Sequence, residues 1–594
     1  MPRGCFLMDN QCILNNDNAS KLARYFPFLA WFPLKQKTLT ADVVAGITVA
    51  MVAVPQSLAY AQLAGVPPYF GLYAAFIPTI VGALFGSSGV LSTGPVAMTS
   101  LLTFASVSLL APRGSEQFIS YVILLALLSG IFQVLFGMFR LGVLLNFLSH
   151  PVLMGFINAA AIIIALSQLP ALLGIAGRQS DHLLLDVWHV LVNIDALHEI
   201  SLAFGLSAML MLFAFRKTAP RFPGVLITTA ILTSISYAVG YAALGGRVVG
   251  EIPQGMPQFS VPPFDLQASA ALLPAAFVIA LISFMEAMSS CKVIAIKTRT
   301  PWDENQELIA LGIANVATGF FQGFSVSSSA SRTPVAESAG ARTQMTCVVG
   351  AVCIALLLLF APGLMLHVPI AALAAVVISV CYKLVEIVEV RRLYYLRRGE
   401  FVLSIVCFLG VALLGVVHGI FISVGFALLA FIWRAWRPYC AVLGRIDGIK
   451  GYHDITRHPE ARRIPGLVLF RWDAPLFFAN AEMFREQVLR AVSMAPTLTK
   501  WVVVAAEPVT DVDITAADVL AELVEELHRT GIELCFAQMK GPVKDHLKRY
   551  GLFSIFGVEN FFPTIGQAVD HYLLRHPVVW HDWDDDKKSE GIGA

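Results

Sequence analysis

The sequence predicts a polytopic α-helical membrane protein followed by a soluble α/β domain, on three observations. Of 594 residues, 57% are hydrophobic and only 14% charged, with a mean hydropathy of +0.72; soluble domains carry roughly 25% charge. From Asp42 to about Arg437, apolar spans follow one another with short links. After Arg445 the charge density rises, and short β-rich runs alternate with amphipathic helical spacing. The net charge of +1 and the lack of a long basic run argue against a nucleic-acid partner. Nine cysteines are scattered singly, without CxxC or zinc spacing, so no disulfide framework, structural metal or cofactor is indicated. They read as small hydrophobes.

Taken in order, residues 1–40 form an N-terminal segment without a signal-peptide pattern, because Asn and Asp interrupt any apolar core. Lys21–Lys37 mixes aromatic and basic residues and suits an amphipathic segment at the cytoplasmic interface. The membrane region, 41–437, runs from the span Val43–Tyr60 to Gly419–Trp433. Several spans are too short, or too full of Gly and Pro, to cross about 30 Å alone. Two are broken at matching places in the two halves, at Leu91–Met98 (LSTGPVAM) and Phe324–Thr333. Such paired breaks are the sequence sign of a transporter built on inverted repeats. The basic links Arg216–Arg221 and Arg391–Arg398 are expected on the cytoplasmic side.

The second break is the richer one. Phe324–Arg342 (FSVSSSASRTPVAESAGAR) packs Ser325, Ser327, Ser328, Ser329, Ser331 and Thr333 beside Arg332, Glu337 and Arg342. Polar backbone at membrane depth is tolerated only where it is buried in protein or lines a wet cavity. A helix opening near Arg332 would aim free N–H groups and a fixed charge at one point, an anion site. The same hydroxyls and charges also suit a re-exposed loop between two spans.

Beyond Arg445, Gly466–Trp472 and Trp501–Ala505 read as strands, Asp513–His528 as a capped helix, and Ile532–Ala537 as a strand after the Gly531 stop. That order suggests a parallel crossover. Residues 576–594 read as a disordered tail, with Asp582–Glu590 (DWDDDKKSE) solvated.

Pro55–Tyr73 (PQSLAYAQLAGVPPYFGLY) resembles the first-helix signature of the sulfate permease family, whose animal members form solute carrier family 26. Similarity continues through Gly94–Met98 (GPVAM), Glu286–Lys292 (EAMSSCK) and Ser331–Gln344 (SRTPVAESAGARTQ). Residues 445–575 resemble a sulfate transporter and anti-sigma-factor antagonist (STAS) domain. The resemblance covers about residues 22 to 575. It implies about fourteen transmembrane segments in a seven-plus-seven inverted repeat of the uracil-permease kind, with a mobile core against a gate. It also implies a cytosolic STAS domain, homodimers, and substrate held between the facing starts of half-helices three and ten. The expected location is the plasma (inner) membrane, multi-pass, with the N-terminus and STAS domain cytoplasmic.

Residue by residue, Gly94, Pro95, Val96 and Ala97 match the start of half-helix three, where Val96 and Ala97 would point N–H groups at substrate. Ser329, Ala330, Ser331 and Arg332 match the start of half-helix ten. Family members that carry sulfate have arginine at the place of Arg332, and a guanidinium fork suits a tetrahedral dianion. Alternatively Arg332 only neutralises Glu286 or Glu337. Gln56 and Tyr60, four apart on helix one, match positions lining the site. Glu286 matches the acidic position on helix eight, and an unpaired carboxyl inside a bundle favours its protonated form and could carry a proton. In sodium-coupled bicarbonate relatives an aspartate here and a hydroxyl one turn later hold Na⁺, and Ser290 stands four residues after Glu286. A structural pair of Glu286 with Lys292 is the plain alternative. Thr515 falls where soluble anti-sigma antagonists are phosphorylated, but Asp513 as a helix cap explains the same residues without regulation.

No GxxxxGK[ST] loop supports ATP-driven pumping, and no nucleophile–base pair or metal cluster in the spans supports an enzyme. The expected function is a proton-coupled symporter of sulfate or a related dianion, working by an elevator-like alternating access. Sodium–bicarbonate symport, anion exchange, dicarboxylate carriage and channel-like anion conduction remain alternatives. The implied partners are an inorganic anion, H⁺ or Na⁺, the bilayer and a second copy of the chain.

Overall fold

The computed structural model describes residues 26–33, 35–142, 150–175, 192–219, 223–262, 265–300 and 302–584. Parts of the Lys21–Lys37 segment, residues 143–149 at the start of one expected span, the end of the Arg216–Arg221 link and the tail beyond Asp584 lie outside them. The chain divides into two compact units, 1–427 and 428–594, the boundary falling within the helix Val416–Trp436.

In the first unit the apolar spans become helices α1 (Gln36–Leu63), α2 (Tyr69–Phe85), α3 (Ala97–Val107), α4 (Glu116–Met138), α5 (His150–Ser167), α6 (Glu199–Thr218) and α7 (Gly224–Val239). A second set of seven follows: α8 (Leu266–Thr298), α9 (Glu304–Phe320), α10 (Arg332–Ser338), α11 (Met345–Phe360), α12 (Ile370–Leu384), α14 (Arg398–Leu414) and α15 (Val416–Trp436). Between α12 and α14 lies a short helix, α13 (Ile387–Leu396). Among the described residues, seven helical stretches are long and apolar enough to cross a membrane by length and composition, counting α12 and α13 together as one; α3 and α10, with 11 and 7 residues, span only part of one. Each is the short helix that follows a break.

Helix packing is densest within two groups, with α1 also touching α12 and α7. α4 packs on α9 and α8, and α1 on α11, while α5 packs on α14 and α12 on α6. Between α4 and α9 the backbones approach through Gly130 and Gly312. A Cβ on Gly130 would lie 2.6 Å from the Val316 nitrogen, and one on Gly312 2.6 Å from that of Val134. Small residues at membrane-helix interfaces permit such contact, since packing rather than water exclusion drives association there.

The two breaks meet. β1 (Thr93–Gly94) and β2 (Ser327–Ser328) pair antiparallel, Thr93 opposite Ser328 and Gly94 opposite Ser327. The pairing satisfies backbone groups that neither half-helix can serve, which is the condition for extended chain at membrane depth. Asn315 of α9 completes it from the side, donating Nδ2 to the Val326 carbonyl at 2.9 Å and accepting the Val326 N–H at 2.7 Å.

In the second unit a six-stranded sheet has the order β4-β3-β5-β6-β7-β8. Its strands are β3 (Cys440–Arg445), β4 (Tyr452–Asp454), β5 (Leu467–Trp472), β6 (Trp501–Ala505), β7 (Glu533–Ala537) and β8 (Phe561–Phe562). β5 to β8 are parallel, as the expected crossover requires, and β3 runs antiparallel to β4 and β5. α16 (Ala481–Ser493), α17 (Ile514–Arg529) and α18 (Gly541–Arg549) bury Phe484, Leu520 and Leu547 against one face. α19 (Ile565–Arg575) covers the other with Val569 and Tyr572.

This domain is longer than the sequence suggested. It opens at Cys440, and the described part of the expected tail, up to Asp584, folds back: Val578 and Trp580 pack on the α19 face. Asp582 accepts from Arg445 Nε at 2.9 Å, and Trp583 lies over the Arg445 guanidinium. A run of acids reads as solvated when its arginine partner is more than a hundred residues away.

Candidate functional site

The site forms where α3 leaves β1 and α10 leaves β2. Val96 caps α3 in extended conformation (φ −138°, ψ 156°) and has no side-chain acceptor to offer, so the first-turn N–H groups, beginning with Ala97, stay open. Its carbonyl takes the Ser100 N–H at 3.1 Å and the Ser100 hydroxyl at 2.7 Å. The Thr99 hydroxyl donates to the Ser325 carbonyl at 3.0 Å, tying α3 to the second break. Gly94 is needed at the root: its φ is +152°, and a Cβ there would lie 2.9 Å from Arg332 Nη2.

Across the crossing, the Ser329 N–H donates to the Ser92 carbonyl at 2.8 Å, and its hydroxyl accepts the Arg332 N–H at 3.1 Å. Ser329 Oγ also lies 3.2 Å from the Ser331 hydroxyl. Ala330 is exposed between these neighbours. Arg332 is 1% exposed. Its Nη1 donates 2.9 Å to the Pro95 carbonyl, while Nη2 is buried without a partner. The guanidinium therefore reaches over to the root of α3. There it lines a narrow cavity with Thr79, Thr93, Gly94, Pro95 and Cys347.

The alternative in which Arg332 merely neutralises a carboxylate does not fit. Glu337 pairs with Lys297 at 3.1 Å, and Glu286 accepts from the Ser327 hydroxyl at 2.8 Å. Among the described residues no ion pair joins Arg332 to an acid. Nor does Lys292, exposed on α8, pair with Glu286 among them.

Tyr60 is buried, next to Ser331 and within electrostatic reach of Arg332 and Glu286. Gln56, one turn earlier on α1, is buried with Oε1 unpartnered. The crossing thus gathers Tyr60, Glu286, Ser331, Arg332 and the start of α3 at Val96 and Ala97. Ser290 lies one turn beyond Glu286 on α8, half-buried. Thr515 belongs to the other unit, exposed on the first turn of α17. Asp513 caps that turn, accepting from the Ala516 N–H at 2.8 Å and the Phe478 N–H at 2.8 Å.

Three supporting residues went unmarked in the sequence. Asn315 holds the second break, Thr79 donates 3.0 Å to the Thr93 carbonyl, and Asp42, fully buried, holds the turn after α10. The Asp42 carboxylate accepts from the N–H groups of Arg342 and Thr343 and the hydroxyls of Thr343 and Thr346, at 2.6 to 3.1 Å. The available signal was polarity inside an apolar span, at Asn315 within the apolar run that becomes α9 and at Asp42 beside Val43–Tyr60.

Fold and site together define a multi-pass α-helical membrane protein whose two broken helices cross around a buried arginine, with a C-terminal STAS domain. The sulfate permease family model matches residues 39–407 and the STAS domain model residues 458–568. The chain belongs to the sulfate permease family, a family of transporters rather than enzymes. It is 36% identical over 544 residues to the Mycobacterium tuberculosis protein named "Probable sulfate transporter MT1781", covering 91% of this chain and 96% of that one. It is 32% identical over 568 residues to Arabidopsis thaliana sulfate transporter 4.1, chloroplastic, covering 92% and 82%. In fold it matches murine solute carrier 26 family member A9 in the inward-facing state, with a TM-score of 0.86, 22% identity and coverage of 95% and 96%. The transmembrane domain of the cyanobacterial bicarbonate transporter BicA matches with a TM-score of 0.58, 23% identity and coverage of 66% and 98%.

Proposed function

We propose that this protein carries sulfate, or a related inorganic dianion, across the membrane together with a proton. The observation that carries this is Arg332: a buried guanidinium with one unpartnered nitrogen and no carboxylate, beside the uncapped first turn of α3. A buried cation without a counter-charge is costly, and an anion from solution relieves that cost while taking up open N–H groups. The names of the mycobacterial and plant relatives favour sulfate.

Glu286 is the proposed proton carrier. Its carboxyl accepts from the Ser327 hydroxyl, itself part of β2, so the carboxyl and the anion site share one segment. A charged carboxylate repels an arriving dianion and a protonated one does not, so the two loads bind together. Transport proceeds by alternating access, α1–α4 with α8–α11 moving against α5–α7 with α12, α14 and α15. The protein works as a homodimer, with its N-terminus and STAS domain in the cytoplasm.

The test is sulfate uptake into proteoliposomes under a pH gradient and, in a separate run, a Na⁺ gradient. Uptake above equilibrium driven by external acid supports proton symport. Accumulation that needs Na⁺ and ignores pH transfers the case to Glu286 and Ser290 as a cation site.

A further inference from the structure

The basic link Arg391–Arg398 served the sequence reading only as an orientation signal, and the structure gives it a shape. α12 ends at Leu384, and Val385 and Glu386 leave the helical conformation. The Glu386 N–H is fixed by Asn158 Oδ1 of α5 at 2.8 Å. α13 then runs ten residues before Arg397 turns extended and α14 begins. Ten residues rise about 15 Å, half of a bilayer's apolar thickness. A helix this short, joined directly to membrane helices at both ends, lies at the membrane surface.

At 100° per residue, Ile387, Val388, Arg391, Tyr394 and Tyr395 share one face of α13. That face is uncovered: Ile387 is 71%, Val388 83% and Tyr395 70% exposed. Leu393, on the opposite side, is the residue buried against the protein. Arg391 lies 5.8 Å over the Tyr395 ring, in the middle of the apolar face. Arg392 and Arg397 pair with Glu389 and Glu400, each at 3.2 Å. Arg391 and Arg398 have no acid partner among the described residues. Arg216 at the end of α6 lies 5.4 Å over the Tyr382 ring near the end of α12.

We infer that α13 is an interfacial anchor whose exposed face enters the bilayer, and that Arg391 within it and Arg398 at the start of α14 hold anionic lipid headgroups. An uncovered stripe of aliphatic and aromatic residues with arginine within it suits the headgroup boundary, where the rings and side-chain stems are buried and the guanidinium meets phosphate. Two acid-free arginines beside it give the charge complementarity. The occupant is the lipid surface itself.

The test is hydrogen–deuterium exchange of the full chain in phosphatidylcholine vesicles with and without phosphatidylglycerol, followed over residues 386–398. Exchange in this segment is expected to be about tenfold slower with the anionic lipid, and the R391Q/R398Q double variant to lose that difference. Equal exchange in both vesicles, or a difference that survives in the double variant, overturns the inference. So does protection that follows protein density at fixed lipid, which would mean that a second copy covers the face.

Discussion

Arg332 does two things that a lysine could not combine. One guanidinium nitrogen ties α10 to the Pro95 carbonyl, and the other stays free; an ammonium has the charge but not the planar fork. Arg332→Ala removes a charge-assisted bond worth about 1.5–3 kcal/mol, and sulfate affinity, read by uptake KM, is expected to fall about tenfold to a hundredfold. Arg332→Lys should recover part of that loss. Unchanged KM in both variants would remove Arg332 from the site. Its residue type and place in the second break were legible in the sequence. Its reach across to Pro95 was not, because that depends on how two segments more than two hundred residues apart pair.

Among elements, the crossing of β1 and β2 matters most. Each strand has only two residues, so their pairing is held by neighbours: Thr79 on one side, and Asn315 with its partner Gln133 on the other. Gly94→Ala puts a side chain into a positive-φ position and against Arg332 Nη2. A strained position of this kind costs about 1–3 kcal/mol, and the variant should fold with lower thermal stability and raised KM for sulfate. Asp42→Asn should act differently. Losing the charge weakens the acceptor for four donors at the turn after α10, so the melting temperature is expected to fall while KM stays near that of the parent. An unchanged melting temperature would deny Asp42 its bracing role. The two breaks could be found in sequence because hydroxyls, Gly and Pro interrupt apolar runs. The braces could not, since a single Asn, Asp or Thr in a span has no periodicity to betray it. In the STAS domain the pattern was fuller: β5, β6, α17 and β7 lie within a residue or two of where alternation and the Asp513 cap put them.

At the scale of the whole molecule, the two units differ in what keeps them folded. The STAS domain closes its second face with the strap 578–584, and the strap depends on Asp582. Burial pushes that carboxyl up, but the Arg445 bonds win and hold it below the usual aspartate range. A depressed carboxyl contributes stability above its unfolded pKa and loses it as pH falls through the folded value. The domain should therefore lose stability on acidification below the ordinary aspartate range, and Asp582→Asn should flatten that part of the profile, as read by melting temperature against pH. An unaltered profile would show that the strap is held by Trp580 and Val578 alone. The acid-rich tail was read as solvated because local composition says nothing about Arg445. In the membrane unit, by contrast, the placing of the two breaks pointed to inverted repeats, and the seven-plus-seven count came only from the family resemblance.

Coupling between anion and proton is tested most directly by comparing the parent protein with Glu286→Gln in one proteoliposome assay. Equilibrium exchange of labelled sulfate and its net accumulation under external acid are measured side by side. The neutral amide stands in for the protonated carboxyl, so the variant should exchange sulfate at a rate near that of the parent and fail to accumulate it. Retained acid-driven accumulation by Glu286→Gln would contradict proton coupling through Glu286.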